Sequence, residues 1–280
     1  MENLKELCIS LLKDTSIIVA SVVGVIIIYG FLLGLLEELS RKNLLRSLGY
    51  WGIIFTAPGV VIHELSHYIG CKIFRYNVKS VKLFRPIAGQ RDGCLGYVSY
   101  SHDKNNIIQE IGLFFVGSAP IVGGAIAMLI LMWFLLPDTF SAIFDNMKIM
   151  INENNVVDIK SFILIQYESF MNLIKILFTK GNMSNVLFWI FMYLGICISA
   201  HIGLSGADLK GSLSGLITLF IVIFLLGLIL MFFGDSLPKY ISYLGMYNAV
   251  LSSILTISVS LSIIHLILSY IIKFIFKVIK

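Results

Sequence analysis

Two histidines and a glutamate lie within five residues of an otherwise apolar segment, in the order HELSH at residues 63–67. On an α-helix, residues four positions apart project from one face, so His63 and His67 can reach the same metal ion. Zinc suits imidazole nitrogens, and catalytic zinc sites combine three protein ligands with a fourth position for water. Glu64 lies beside such an ion, where a general base must stand. The motif predicts a Zn²⁺ hydrolase in which His63 and His67 bind the metal and Glu64 is the catalytic base.

The alternative is a structural role, in which both histidines are hydrogen-bonded core residues between helices. Ionisable side chains are expensive inside a membrane, where a single charged residue at a helix centre costs about 2.5–3.5 kcal/mol. Three such residues in one turn and a half of an apolar segment therefore favour a functional site.

A third ligand must come from elsewhere, because Ile73 stands where the extended motif HExxHxxGxxH requires a histidine. The stretch CISAHIGLSGADLKGS, residues 197–212, follows an apolar segment and carries Asp208 and His201. Its glycines allow the backbone to unwind and turn a carboxylate towards the metal. We predict Asp208 as the third ligand and His201 as the runner-up. Alternatively, Asp208 only caps the helix that follows.

Composition indicates that these residues lie in a membrane protein. Of 280 residues, 58% are hydrophobic and 13% are charged, whereas an ordinary soluble domain is about 25% charged. A helix that crosses the bilayer core needs about 20 mostly apolar residues. Six stretches meet this requirement: 16–36, 50–70, 107–136, 185–204, 212–233 and 247–272. The predicted fold class is an all-α polytopic membrane protein of about six transmembrane helices, with residues 1–280 as a single membrane-embedded domain.

Two connections between these stretches have distinctive patterns. Residues 76–102, YNVKSVKLFRPIAGQRDGCLGYVSYSH, alternate apolar and polar side chains around glycines, which predicts short strands and a small β-hairpin-like insertion after the metal-binding helix. Residues 137–184 contain the amphipathic stretch DIKSFILIQYESFMNLIKILFTK. That connection is predicted to be extracytoplasmic and to lie along the membrane interface.

The net charge of +5 is concentrated in two places, which argues against a nucleic-acid partner. Basic residues crowd the connection between the second and third predicted spans and the end of the chain: Lys72, Arg75, Lys79, Lys82, Arg85, Arg91, Lys104, Lys273, Lys277 and Lys280. Positive residues favour the cytoplasmic side. We therefore predict a multi-pass protein of the cell membrane, with both termini in the cytoplasm and the active site nearer the cytoplasmic side.

These features resemble the site-2 protease family of intramembrane zinc metalloproteases. The resemblance rests on HExxH in an early apolar helix, a later span ending in Asp208, the basic connection of residues 76–102, and the small-residue segment FVGSAPIVGG at 115–124. It covers roughly residues 50–210, the predicted metalloprotease core. The chain departs from the family pattern where Leu209 follows Asp208 in place of glycine, so it resembles a compact, divergent member.

The resemblance implies both a mechanism and a substrate class. The zinc ligands are then His63, His67 and Asp208, with Glu64 as the base, and the reaction is hydrolysis of a peptide bond in or near a transmembrane segment of a membrane-protein substrate. The family's small sheet is thought to hold substrate in an extended form, and its members here are Val81, Leu83, Tyr97 and Val98.

A different class of function is also compatible with the motif. In a polytopic transporter or membrane interaction protein, the same His/Glu cluster binds or relays an ion. Transporters often show internal symmetry between paired, interrupted spans. The two halves of this chain show no convincing repeat, which favours the protease over the transporter.

Overall fold

The computed structural model describes residues 2–153, 159–232 and 238–279. Within those ranges the chain is almost entirely helical, with one small sheet. The elements are α1 (Glu2–Leu48), α2 (Trp51–Ile54), α3 (Ala57–Ile73), β1 (Asn77–Lys82), α4 (Pro86–Asp92), β2 (Tyr97–Ser101), α5 (Ile107–Leu135), α6 (Pro137–Glu153), α7 (Ile159–Leu177), α8 (Lys180–Met183), α9 (Val186–Ser199), α10 (Gly206–Phe232) and α11 (Pro238–Ile279).

Four of these helices are long and apolar enough to cross a membrane, which agrees with the predicted membrane protein. These candidate membrane spans are Ile9–Leu48, Ile107–Leu135, Gly206–Leu230 and Leu251–Val278. They contain or overlap the predicted spans 16–36, 107–136, 212–233 and 247–272, although residue 233 lies outside the described residues. On α10, the exposed side chains of Ile217, Ile221 and Leu225 recur every four residues and form an apolar stripe suited to lipid.

The prediction of about six spans is not confirmed, because two of the predicted stretches form shorter helices. The stretch 50–70 divides into α2 and α3, and Pro58 in the first turn of α3 removes a backbone donor. The stretch 185–204 forms α9, which ends at Ser199 before an irregular turn. At 1.5 Å per residue, the 17 residues of α3 and the 14 of α9 extend about 26 and 21 Å, less than a hydrocarbon core of about 30 Å.

The hydrophobic core surrounds α5, the most central of the long helices. Side chains of α1, α5, α6, α7, α9, α10, α11 and the turn after α9 meet in one buried cluster. Its largest fully buried members are Leu33, Phe114, Ile121, Met128, Met132, Leu177, Phe188, Phe191, Ile202, Leu255 and Leu261. The core therefore fixes α5 and α9, the two helices against which α3 packs.

Glycines allow the helices around α3 to approach unusually closely. A Cβ at Gly59 of α3 would overlap the carbonyl oxygen of Cys197 on α9, and one at Gly123 of α5 would overlap the Ser66 side chain on α3. At Gly117 of α5, a Cβ would collide with the backbone of Asp208 on α10. These crossings place α3, α5, α9 and the start of α10 within backbone contact of one another.

The predicted β insertion is present as a two-stranded antiparallel sheet. Strands β1 and β2 pair with Val81 opposite Val98, and Tyr97 lies opposite Lys82. The connection between them is not a tight turn, because α4 occupies it and ends at Gly93 in the left-handed conformation, with φ of 74°. Leu83, predicted as a strand member, lies just beyond the end of β1.

The connection 137–184 forms helices α6, α7 and α8, with residues 154–158 outside the described residues. One side of this connection is buried, since Ile143, Leu173 and Leu177 belong to the hydrophobic core. Leu164 and Tyr167 on α7 are exposed. The two-sided distribution agrees with the amphipathic pattern, and its location along the membrane interface stays a prediction.

Candidate metal centre

Helix α3 carries the three ionisable residues of the HELSH motif, His63, Glu64 and His67, on adjoining faces. The Nε2 atoms of His63 and His67 are 3.2 Å apart, as the spacing of four residues predicts. Glu64 is 9% exposed and His67 is 7% exposed, so both lie inside the protein even though they are polar. The motif therefore faces the protein interior rather than the surrounding solvent or lipid.

Backbone carbonyl groups orient both imidazole rings. His63 Nδ1 donates a hydrogen bond to the His201 carbonyl oxygen at 2.6 Å, and His67 Nδ1 donates to the Val116 carbonyl oxygen at 2.8 Å. A carbonyl oxygen only accepts, so the hydrogen of each neutral ring is on Nδ1 and the lone pair is on Nε2. Two lone pairs that face each other across 3.2 Å repel unless a cation lies between them.

The carboxylate of Asp208 completes the group from the first turn of α10. Its Oδ1 atom lies 3.2 Å from His67 Nε2 and its Oδ2 atom lies 3.7 Å from His63 Nε2. Asp208 also caps α10: Oδ2 accepts from the Ser205 N–H at 2.9 Å, and the Ser205 hydroxyl accepts from the Asp208 N–H at 3.2 Å. This reciprocal capping box holds the carboxylate towards the histidines, so the two roles predicted as alternatives for Asp208 are compatible.

His63, His67 and Asp208 lie close enough together to hold one metal ion. One ligand atom each from His63, His67 and Asp208 lies within 4.8 Å of the other two, and no other such group of three occurs among the residues that the structure describes. Ligands at 2.0–2.1 Å around a tetrahedral ion are separated by about 3.3 Å. The two Nε2 atoms are separated by 3.2 Å, close to that spacing, and each of them lies nearer to a different oxygen of the Asp208 carboxylate, at 3.2 and 3.7 Å.

His201 supports the group through its backbone, and its ring points elsewhere. Its Nε2 atom shares a hydrogen bond of 2.8 Å with the Thr56 hydroxyl, and its Nδ1 atom lies 3.2 Å from Glu37 Oε1. With both ring nitrogens engaged, the runner-up of the sequence analysis is a neighbour of the ligand group rather than a member of it.

A cavity of about 440 Å³ opens beside the motif. His63 and Glu64 line one side of it, and residues 93–96 and 203–206 line much of the rest. Gly96 approaches Glu64 so closely that a Cβ there would lie 2.7 Å from the Glu64 Cγ atom. A molecule that enters this cavity meets His63 and the Glu64 side chain together, which is the arrangement that a general base requires.

Sequence reasoning did not find the residues that orient the ligands. Val116 and His201 act through backbone carbonyls, which no side-chain pattern reveals. Glu37 and Thr56 contact the His201 ring through their side chains, and the only pattern that points to Glu37 is a carboxylate at the end of a long apolar stretch. Their roles depend on which helices pack together, and local patterns do not contain that information.

Comparison of the chain with protein-family models, with curated proteins and with solved structures finds no match.

Proposed function

We propose that this chain is an intramembrane zinc metalloprotease, similar in its chemistry to the site-2 protease family. The observation that carries the proposal is the convergence of His63 Nε2, His67 Nε2 and the Asp208 carboxylate next to Glu64, at the edge of a cavity. The Nδ1 atom of each histidine is hydrogen-bonded to a backbone carbonyl oxygen. Metal-binding histidines in proteins usually have such a partner, which fixes the ring and its tautomer.

Zinc is the metal that this donor set favours. Two imidazole nitrogens and one carboxylate are the ligand set of several catalytic zinc sites, whereas magnesium and calcium prefer sites made of oxygen atoms alone. Three protein ligands leave a position for water or substrate.

Bound zinc would polarise a substrate carbonyl and lower the pKa of water in the open position. Glu64 would then accept a proton from the attacking water as its oxygen joins the carbonyl carbon. The C–N bond breaks, and Glu64 returns the proton to the departing nitrogen. The backbone carbonyls of His201 and Val116 hold the two rings in place, and Ser205 holds Asp208.

The proposed substrate is a peptide bond in or near a transmembrane segment of another membrane protein. The motif is enclosed by helices whose outer surfaces are apolar, so a substrate arrives from the bilayer or its edge. Helical peptide bonds are sterically shielded, so the substrate must unwind before it reacts; glycine or proline near the cleaved bond makes that unwinding easier. The sheet of β1 and β2 would hold the unwound segment by strand addition.

We place the protein in the cell membrane, with both termini in the cytoplasm and the metal near the cytoplasmic side. This orientation rests on the basic residues between α3 and α5 and at the end of α11. The partners are therefore the lipid bilayer and a membrane-protein substrate.

A paired measurement of zinc content and proteolysis tests the proposal. The full-length protein, purified in detergent and reconstituted in vesicles, is supplied with single-span peptides that differ only in a central Gly-Pro or Leu-Leu pair. We expect one zinc per chain and cleavage of the Gly-Pro peptide. Glu64→Gln should retain zinc and lose cleavage by about 10²–10⁴-fold, the usual contribution of a general base.

Glu38→Gln is the matched control, because Glu38 also lines the cavity but pairs with Lys42 at 2.6 Å. It should keep both zinc and activity. If Glu64→Gln cleaves as fast as the wild type, the protein is not a hydrolase of this kind. Zinc-dependent ion flux through the vesicles that persists in Glu64→Gln would instead support the transporter.

A further inference from the structure

We propose that Glu37 of α1 is a positioning residue for the metal centre, acting through His201 on the ring of His63. The inference rests on the proposed function, because it assigns a role at the same centre. It concerns a helix that contributes no ligand: His63 and His67 lie on α3, and Asp208 lies on α10.

The contacts form a continuous chain from α1 to the ligand. Glu37 Oε1 accepts a hydrogen bond from His201 Nδ1 at 3.2 Å, and the carbonyl oxygen of the same histidine accepts from His63 Nδ1 at 2.6 Å. The Thr56 hydroxyl contacts the other ring nitrogen of His201 at 2.8 Å. The His201 ring is thus fixed at two points, and its backbone carbonyl is held in line with His63.

Helix α1 packs closely against the turn that joins α9 to α10. Gly203 lies directly on Gly34, since a Cβ at Gly203 would be 2.7 Å from the Gly34 Cα atom and 2.8 Å from Glu37 Oε2. Glu37 follows Gly34 by three residues, so both are on the same face of α1. The carboxylate therefore lies over the turn that joins α9 to α10.

That turn supports two of the three ligands and has little regular structure of its own. It begins after Ser199 and includes the His201 carbonyl that orients His63. It ends with Ser205, which caps α10 and is hydrogen-bonded to Asp208. Helical hydrogen bonding resumes only with Leu209 N–H to the Ser205 carbonyl. Because the turn lacks a ladder of backbone hydrogen bonds, its conformation depends on contacts with side chains such as Glu37.

Neighbouring positions supply matched variants. Glu37→Ala removes the acceptor, and Glu37→Gln keeps an oxygen that accepts from His201. Glu38→Ala removes a carboxylate that is about half exposed and is paired with Lys42, so it changes the net charge equally without touching His201.

Cobalt(II) titration of the metal-free, full-length protein in detergent tests the role, because visible absorption bands report the geometry of the ligands. We expect Glu37→Ala to weaken cobalt binding by about 10–100-fold, the usual cost of losing an outer partner of a metal ligand, and to change the shape of the bands. Glu37→Gln should restore the wild-type spectrum. A role in overall stability alone would leave the band shape of the bound form unchanged.

Hydrogen–deuterium exchange of the peptide that contains residues 200–206 provides a readout without metal. We expect faster exchange in Glu37→Ala than in Glu38→Ala or Glu37→Gln. If Glu37→Ala matches wild type in cobalt affinity, spectrum and exchange, the inference is overturned while the proposed function stands. If wild-type protein binds no cobalt or zinc, the proposed function fails and the role of Glu37 at a metal falls with it, even where exchange shows that Glu37 holds the turn.

Discussion

The metal centre and the α1–α11 interface both bury polar side chains inside an apolar bundle, but they arrange them differently. At the metal centre, polar atoms from separate helices converge within 4.8 Å. Along α1 and α11, polar contacts are spread over the length of the helices, from Tyr29 with Thr256 at 2.8 Å to Asn43 with Ser269 at 3.2 Å. Hydroxyls of α11 also bond to the preceding turn of their own helix, as Ser260 does to the Thr256 carbonyl.

The difference separates polar groups arranged as a metal could bind them from polar groups that pack helices. Ligand atoms converge, are oriented by partners behind them, and leave lone pairs that point at a common position. Packing hydroxyls are small, are spaced along one helix, and allow close approach of backbones. Ser258 and Ser262 are the clearest examples of packing hydroxyls. Their buried hydroxyl oxygens have no hydrogen-bond partner in the part of the chain that the structure describes.

The largest expected effect comes from replacing equivalent residue types in the two regions. His67→Leu should weaken zinc binding by more than about 100-fold, beyond the loss of an outer partner, because it removes a ligand. His265→Leu on α11 should retain most of the zinc, because His265 supplies no ligand: it is buried, its Nδ1 atom has no partner among the described residues, and it borders a small cavity with Glu37 and His201 behind the ligand group. Metal analysis of both purified variants measures this difference. Equal zinc content in the two variants would contradict the distinction between the two regions.

Next in size is the effect of a single methyl group on helix spacing. Gly59→Ala would force α3 away from the Cys197 carbonyl on α9. We expect a loss of about 1–3 kcal/mol in unfolding free energy, as for other overpacked sites, together with reduced zinc content because His63 moves away from its partner on the following turn. Gly24→Ala in α1 is the control, because a Cβ there meets nothing within 4 Å; it should stabilise α1 by about 0.5–1 kcal/mol. Detergent unfolding curves measure both changes.

A moderate effect is expected where the α1–α11 interface has real hydrogen bonds. Asn43→Leu removes the bonds to Ser269 at 3.2 Å and to Lys273 at 3.1 Å. The unfolding free energy should fall by about 1–2 kcal/mol, while zinc content stays at the wild-type level. Zinc loss in this variant would show that the interface and the metal centre are coupled, and would contradict the view that the polar groups of the two regions act separately.

The smallest effect is expected at the unpartnered hydroxyls. Ser258→Ala and Ser262→Ala each remove a buried oxygen that makes no hydrogen bond in the described structure. Stability should stay within about 0.5 kcal/mol of wild type or rise slightly, because removal of an unsatisfied polar group relieves its desolvation cost. A loss above 2 kcal/mol would reveal a partner for these hydroxyls, and the same unfolding curves would detect it.

The sequence contains enough information to predict which side chains converge in the candidate metal centre, but not which residues support them. The spacing of His63 and His67 on a helix fixes their convergence, and the glycine-flanked Asp208 after an apolar segment was the first choice for a third ligand. Glu37 could not be assigned, because its role depends on the packing of α1 against the turn after α9. Such pairings join residues far apart in the chain, and no local periodicity reports them.

The fold shows the same division between local and long-range information. Long apolar stretches predicted the four helices that are long and apolar enough to cross a membrane. The alternation of apolar and polar residues around glycines predicted the sheet of β1 and β2. The stretches 50–70 and 185–204 were apolar enough to count as spans, yet Pro58 and the turn at 200–205 interrupt them. Hydropathy is averaged over such breaks, so it does not reveal where an apolar helix ends and an irregular turn begins.

The separation of the ligands along the chain has a consequence for biogenesis. Helix α3 with His63 and His67 leaves the ribosome well before α10 with Asp208, and the turn that orients both comes just ahead of α10. A partly synthesised chain therefore has an incomplete coordination set, with two imidazoles and no carboxylate. If these residues bind a metal, the order of translation delays completion of the site until α10 has been made.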